Sequence, residues 1–225
     1  DNKFDIYEIY AKSLKENEFY AEAAKILEKF PIPSPDPDQL EYYLNIAECY
    51  FNDSNYDKVM SLFVNMGQHV FILSTPIALL NRYFEFRGLV NVQKQSFLEA
   101  ARCYNELWTR GRTPELRQKG LRNAAICAIL APTKKNDLRS LYLHRYAADD
   151  NIKTIDVYPI LDLIVRGKFI DKDARDVFKE QISDLVDIKD SRTLDNFSLQ
   201  HNISVAQKMF VNIRIDRLAQ IVGDT

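Results

Sequence analysis

Apolar residues recur at three- and four-residue spacing between Lys94 and Arg110, in the sequence KQSFLEAARCYNELWTR. On a helix of about 3.6 residues per turn these positions form a single stripe. The stripe consists of Phe97, Ala100, Ala101, Tyr104 and Leu107. Polar residues occupy the other faces, which water can reach. The pattern predicts one amphipathic helix, and its paired alanines allow a second helix to approach closely.

Three dipeptides combine a side chain that can cap a helix with a proline at the first helical position. They are Asp36-Pro37, Thr75-Pro76 and Thr113-Pro114. Gly167 follows an apolar run and suits a helix C-terminus, and Asp171 can cap the next helix. Prolines at positions 31, 33, 35 and 37 break any helix across that segment. Since no apolar–polar alternation and no hairpin turn occurs, we expect the first 190 residues or so to be entirely helical.

A small residue and an aromatic residue recur nine positions apart. The pairs are Ala11 with Tyr20, Ala47 with Tyr56, and Gly88 with Phe97. Tyr56 follows Tyr20 by 36 residues and Phe97 follows Tyr56 by 41, close to the roughly 34-residue period of tetratricopeptide helix pairs. The small residue permits close helix approach, so we predict helix pairs that stack into a solenoid. The alternative is an ordinary helical bundle in which this spacing is coincidental.

The segment from Leu194 to Thr225 carries two shorter helical patterns. The first predicts one apolar stripe of Leu199, Ile203, Ala206 and Phe210. A break is expected near Asn212. The second predicts a shorter helix on which Ile215, Leu218 and Val222 share a face.

The composition narrows the function classes. Hydrophobic residues make up 46% of the 225 residues, and 30 basic residues balance 32 acidic ones, which argues against a dedicated nucleic-acid or membrane binder. Cys49, Cys103 and Cys127 are odd in number and far apart, which argues against disulfides and for a reducing compartment. The first ten residues lack a signal core and begin within a helical pattern, so we expect a longer chain.

No catalytic constellation is present in the sequence. His69, His144 and His201 are too far apart for metal-ligand spacing, and no phosphate-binding loop or nucleophile elbow occurs. The adjacent acids Asp149 and Asp150 are expected to be solvated charges and not an acid–base dyad. We therefore predict no enzyme activity, no catalytic residue, no metal, no cofactor and no small-molecule ligand. His201 is expected to hydrogen-bond within its own subdomain.

One basic segment has two interpretations. Five cations and a single acid, Glu115, lie between positions 110 and 122. The cations are Arg110, Arg112, Arg117, Lys119 and Arg122. They form either a contact for an acidic partner surface or a solvated edge between two helices.

Four segments resemble the PCI family. They are KQSFLEAARCYNELWTR, LRNAAICAILA, VYPILDLIVRGKF and LDNFSLQHNISVAQKMFVNIRIDRLAQIV. The resemblance implies an all-α fold, a tetratricopeptide-like right-handed solenoid that leads into a winged-helix subdomain. It implies a solenoid over residues 1–190, with its PCI helical part from about residue 95, and the opening of an incomplete winged helix over 191–225. Arg214 departs from the family, which has a capping Ser or Thr there.

The same resemblance implies a function. PCI proteins scaffold the COP9 signalosome, the proteasome lid and a translation initiation factor. The quoted segments are most similar to a signalosome subunit, which implies a non-catalytic scaffold of the complex that removes Nedd8 from cullin–RING ligases. Its partners would be other PCI subunits, the metalloprotease pair and the cullin–RING ligase, in cytoplasm and nucleus. The alternatives are a proteasome-lid scaffold and a PCI protein of a nucleic-acid-binding complex.

Overall fold

A computed structural model describes residues 2–29, 36–70, 75–133, 138–186 and 192–223. Every regular element among these residues is helical, which confirms the all-α prediction. The proline-rich segment 31–35 and the side chains of His69 and Val222 lie outside the described residues.

The helices follow one another with short connections. They are α1 (Asn2–Glu16), α2 (Tyr20–Glu28), α3 (Asp36–Asn52), α4 (Tyr56–Val70), α5 (Ile77–Gln93), α6 (Phe97–Arg110), α7 (Pro114–Leu130), α8 (Leu138–Ala147), a 3₁₀ helix (Asp150–Thr154), α9 (Tyr158–Val165), α10 (Lys172–Gln181), α11 (Arg192–Met209) and α12 (Ile215–Gly223). Within the described ranges, no helix combines the length and hydrophobicity needed to cross a bilayer.

The chain divides into two compact units, Asp1–Val90 and Asn91–Thr225. In the first unit α1 packs on α2, α2 on α3 and α3 on α4. The buried Tyr42 hydroxyl donates to the carbonyl oxygen of Leu27 and so joins α3 to α2. Arg82 of α5 donates to both carboxylate oxygens of Glu48 on α3, at 3.0 and 2.7 Å. Helices α1 to α4 therefore each pack on the next helix in sequence, and α5 is bonded to α3, as in helical repeats.

In the second unit the closest helix pair is α6 with α7. The predicted stripe of α6 is buried in full, from Phe97 to Leu107. The facing part of α7 is buried from Gly120 to Leu130 except at Arg122. A Cβ atom added to Gly120 would lie 2.5 Å from the backbone nitrogen of Trp108, so the two backbones touch there. Small residues thus set the distance between these helices, as the alanines of α6 predicted.

Three turns repeat the same geometry and confirm the predicted repeat. The aromatic residues Tyr20, Tyr56 and Phe97 begin α2, α4 and α6. Two positions before each aromatic the backbone is left-handed, with φ of 64° at Glu18, 60° at Ser54 and 56° at Gln95. In each turn the backbone N–H of the residue that follows the left-handed one donates to the carbonyl oxygen five residues earlier in the chain, at 2.8 to 2.9 Å. This is the Schellman ending of a helix.

Replacing Gln95 by glycine should stabilise the chain. A left-handed backbone costs a residue with a Cβ about 1–2 kcal/mol, and glycine removes this cost. Part of the gain in stability is lost because glycine has greater conformational freedom in the unfolded chain. We expect Gln95→Gly to raise the free energy of unfolding by about 0.5–1 kcal/mol. Chemical denaturation measures this, with Gln95→Ala as the control that should give no gain. A glycine variant less stable than the parent would contradict the assignment of this turn.

Most predicted helix ends are confirmed. The Thr113 hydroxyl accepts from the Leu116 amide at 3.2 Å, and the Asp171 carboxylate accepts from the Ala174 amide at 2.8 Å. Gly167 follows α9 with a φ of +62°. The predicted cap at Thr75 is shifted by one residue, since α5 begins at Ile77, directly after Pro76. The side chain of Asp36, the other predicted cap, lies outside the described residues.

The predicted stripe of α11 is partly wrong, since Ala206 is buried but two of its other members are not. Leu199 and Phe210 are 42% and 38% exposed, while the buried face carries Leu194, Phe197, Ser198, His201, Asn202, Val205 and Ala206. The reason is that His201 and Asn202 satisfy their polar groups by hydrogen bonds to the backbone between Lys168 and Ile170. A prediction from apolar residues alone therefore selected a face of α11 next to the one that is buried.

The break after α11 and the departure at Arg214 are both visible. α11 ends at Met209 and α12 begins at Ile215, which places the break at the predicted position. The Arg214 carbonyl accepts from the Leu218 amide at 2.9 Å, while its guanidinium pairs with Asp216 at 2.8 Å. Arg214 thus occupies the cap position, and its side chain binds an acid of the first turn.

Candidate protein-contact surface

The five cations of the basic segment lie on two helices and the turn between them. Arg110 ends α6, and its Nε lies 2.5 Å from Glu106 Oε2. Arg112 is exposed in the α6–α7 turn, and Lys119 is exposed on α7. Arg117 is exposed in the first turns of α7, and its Nε donates to the carbonyl oxygen of Trp108 at 3.3 Å. These four side chains are on the outer edge of the helix pair.

Arg122 has a different environment from the other four. Its side chain is only 19% exposed and lies within 3.0 Å of Asp156 and 3.1 Å of Asp184. It also donates to the carbonyl oxygen of Gln181 at the end of α10. One guanidinium therefore joins α7 to the segment before α9 and to the segment after α10. This fork suits arginine, which presents several N–H donors in one plane.

A pocket opens beside this basic edge. Its volume is about 560 Å³, and it lies between the end of α6, the start of α7 and residues 149–154. Trp108, Pro114 and Leu121 supply its apolar lining. Thr109, Gln118, Asn151 and Thr154 supply neutral polar groups, and Arg117 and Asp149 supply the charges. Three of the nine lining residues are apolar, so polar side chains make up most of the pocket wall.

The Trp108 ring is held by aromatic and cationic neighbours. The Arg145 guanidinium lies 4.9 Å from the centre of the indole ring, a cation–π distance. Tyr146 meets the same ring edge-on at 5.6 Å and stacks on Tyr142 at 5.8 Å. Burial raises the pKa of the Tyr146 hydroxyl, so it stays protonated at neutral pH. These contacts fix the indole as a rigid wall of the pocket.

The acids beside the pocket are bound within the chain. The Asp149 carboxylate accepts from the backbone amide and the side-chain amide of Asn151, both at 2.8 Å. Asp150 pairs with the ammonium of Lys153 at 2.6 Å. These bonds explain why the two adjacent acids stand at the start of the 3₁₀ helix. Each acid has a local structural partner.

His201 and Asn202 tie α11 to the segment after α9. The His201 Nε2 lies 2.8 Å from the Lys168 carbonyl oxygen and donates to it. The Asn202 amide accepts from the Ile170 N–H and donates to the Ile170 carbonyl, both at 2.9 Å. The prediction that His201 hydrogen-bonds within its own subdomain, residues 191–225, is wrong about the partner, because the acceptor Lys168 lies in the segment after α9. The Asn202 pairing was not foreseen, although an Asn in a helical apolar pattern is a signal of it.

The stability of the chain should fall as the pH drops through the range in which histidine titrates. Burial lowers the pKa of His201 below its ordinary value of 6.5, and the positive charges of Arg139 and Lys208 act in the same direction. The unfolded chain therefore takes up a proton at a pH where the folded chain does not, so folding loses free energy as the pH falls below 6.5. Urea midpoints between pH 7.5 and 5.5 measure this. We expect a flatter profile for His201→Gln, and equal slopes would contradict the assignment.

The three cysteines are buried and free of disulfides. Burial raises the pKa of the Cys127 thiol and of the Cys49 thiol, which keeps both protonated. Cys49 and Cys103 thus act as small hydrophobic residues, as predicted. In the described part of the chain, no group of three or more His, Cys, Asp or Glu side chains could hold a metal ion. His144 is exposed, with its Nδ1 2.8 Å from the Ser140 carbonyl.

Three curated proteins are similar to the chain over almost its entire length. COP9 signalosome complex subunit 4 of Drosophila melanogaster is 26% identical, with 98% of the chain and 54% of that protein covered. Subunit 4 of Arabidopsis thaliana is 24% identical, with 91% and 55% covered. Subunit 4 of Emericella nidulans is 23% identical, with 97% and 55% covered. The chain is a relative of COP9 signalosome subunit 4.

The similarity to subunit 4 covers only part of each curated protein. The chain spans about half the length of the curated relatives it matches. No protein-family model matches the chain. The sequence identity is low, as between distant relatives, and the matched region extends over nearly the whole chain.

Proposed function

We propose that the chain is part of a non-catalytic scaffold subunit in a COP9 signalosome-type complex. The observation that carries the proposal is the similarity to subunit 4 of three organisms over nearly the whole chain. The all-helical fold, with helices packed in chain order, supports it, because stacked helix pairs present long surfaces to other proteins.

The proposed role divides between two regions. Residues 1–190 form the solenoid that binds partner subunits and the cullin–RING ligase. Residues 191–225 open the PCI winged helix that assembles with other PCI subunits. The partners are those subunits and the metalloprotease pair, whose active member removes Nedd8, and the complex works in cytoplasm and nucleus. The chain itself needs no metal, cofactor or small-molecule ligand for this role.

The basic segment contributes a contact for an acidic partner surface in this proposal. Arg112, Arg117 and Lys119 are exposed and suit that contact best. Arg110 adds to it while bound to Glu106. Arg122 has a structural part in it, because its guanidinium is bound to Asp156 and Asp184 within the chain.

Affinity purification of the full-length protein from its own cells tests this proposal. Mass spectrometry should identify a metalloprotease subunit, several PCI proteins and cullins among the co-purifying chains. Proteasome ATPases with lid subunits would make the protein a lid scaffold instead. RNA in the eluate, without either set of proteins, would instead indicate that the protein belongs to a nucleic-acid-binding complex.

A further inference from the structure

The pocket beside Trp108 lies where an extended peptide could reach both apolar surface and hydrogen-bonding groups. Its volume of about 560 Å³ exceeds that of one side chain and fits a few peptide residues. The tryptophan, proline and leucine of its lining can hold one apolar side chain. An extended backbone carries one N–H and one C=O per residue, and the side-chain amides of Gln118 and Asn151 offer groups that can bond to both. The hydroxyls of Thr109 and Thr154 already donate to backbone carbonyls of the chain, so each can only accept from a backbone N–H.

The charge of this region favours an acidic ligand. Arg117 is the cation of the lining, and its bond to the Trp108 carbonyl holds the side chain at the pocket wall. Arg112 is exposed in the adjacent turn. The lining also contains one acid, Asp149, which keeps its negative charge and whose carboxylate is held by two hydrogen bonds from Asn151. A carboxylate arriving from a partner therefore meets arginines, whose forked donors match it well.

We propose that this pocket binds an extended peptide segment of a partner protein, with one apolar side chain against Trp108 and a neighbouring carboxylate at Arg117. The inference rests on the proposed function for the kind of partner, a subunit or client of the same complex. It goes further in naming the pocket and the chemistry of the bound segment. The apolar anchor supplies affinity and the carboxylate supplies orientation.

Trp108 is the only tryptophan of the chain, so its fluorescence reports on the pocket directly. The probes are capped eight-residue peptides with a central Leu, Phe or Tyr and two Asp or Glu residues on each side. Matched peptides carry Asn and Gln, or Lys, in place of the acids. We expect a saturable change in Trp108 emission with at least one acidic peptide, and binding at least about tenfold weaker for its neutral and basic counterparts.

Two variants test the residues of the pocket. Gln118→Glu adds a negative charge to the pocket wall with almost no change of shape, and it should weaken binding of the acidic peptide by about tenfold at low salt. Arg117→Ala should weaken it by at least as much, with affinities measured also by calorimetry because this variant loses the bond to Trp108. Arg102→Ala is the control, since Arg102 is an exposed arginine of α6 that pairs with Glu99 and is absent from the pocket lining.

Several outcomes would overturn the inference. They are no saturable change with any acidic peptide, equal binding of acidic and neutral peptides, and full affinity in Gln118→Glu. Tighter binding of an eight-nucleotide oligouridine than of any peptide would assign the pocket to RNA. The titration uses the chain without other subunits, so its failure is separable from failure of the co-purification experiment.

Discussion

Gly120→Ala should cost the chain about 3 kcal/mol of folding free energy. The added Cβ would lie 2.5 Å from the Trp108 nitrogen and 3.0 Å from the Leu107 carbonyl carbon. Both are backbone atoms of α6, so no side-chain rotation relieves the clash, and the two helices must separate. Separation would also loosen the buried alanines and cysteines that α6 and α7 share. Denaturation followed by Trp108 fluorescence measures the loss in the unit that contains both helices.

Gly67→Ala is the matched control for this prediction. Gly67 also lies within a helix, α4, but a Cβ added there meets no atom within 4 Å. Alanine in an open helical position should raise the free energy of unfolding by about 0.5–1 kcal/mol. The two Gly→Ala changes should therefore have opposite signs. A Gly120→Ala variant as stable as the parent would mean that α6 and α7 are not in backbone contact.

Asn202→Ala should lower the free energy of unfolding by about 3 kcal/mol. Asn202 is fully buried, and its amide pairs with both the N–H and the C=O of Ile170. Alanine would leave these two backbone groups without that partner in a site closed to water, where each unmade hydrogen bond costs about 1–3 kcal/mol. Denaturation curves measure the difference.

Two further variants separate the hydrogen bonds of Asn202 from its place in the helix. Gln200→Ala changes an exposed residue of the same helix and should lie within about 0.5 kcal/mol of the parent. Asn202→Asp keeps an acceptor for the Ile170 N–H but loses the donor to its carbonyl, so it should also be destabilised. If alanine at position 202 were as harmless as alanine at position 200, the pairing with Ile170 would not contribute to stability.

The sequence predicted the fold well wherever apolar spacing and packing agree. The stripe from Phe97 to Leu107 is buried as expected, and the caps at Thr113 and Asp171 form as expected. The three aromatic positions of the repeat begin helices, because each follows the same kind of turn. The left-handed residues of those turns were not predicted, since Glu18, Ser54 and Gln95 give no glycine signal.

The candidate surface was only partly visible in the sequence. The cations at positions 110–122 were found by composition, yet only the fold separates the exposed Arg117 from the ion-paired Arg122. The pocket was missed because one wall is the 3₁₀ helix Asp150–Thr154, which is too short to carry an apolar period. The buried face of α11 was misplaced because two polar residues, His201 and Asn202, lie on it.

The proposed function is that of a subunit in a complex that removes Nedd8 from cullins. The most direct measurement is the Nedd8-modified fraction of cullins, by immunoblot, after depletion of the full-length protein from its own cells. We expect this fraction to rise on depletion and to return to normal when the parent protein is restored. An unchanged fraction, in cells where depletion is complete, would contradict it.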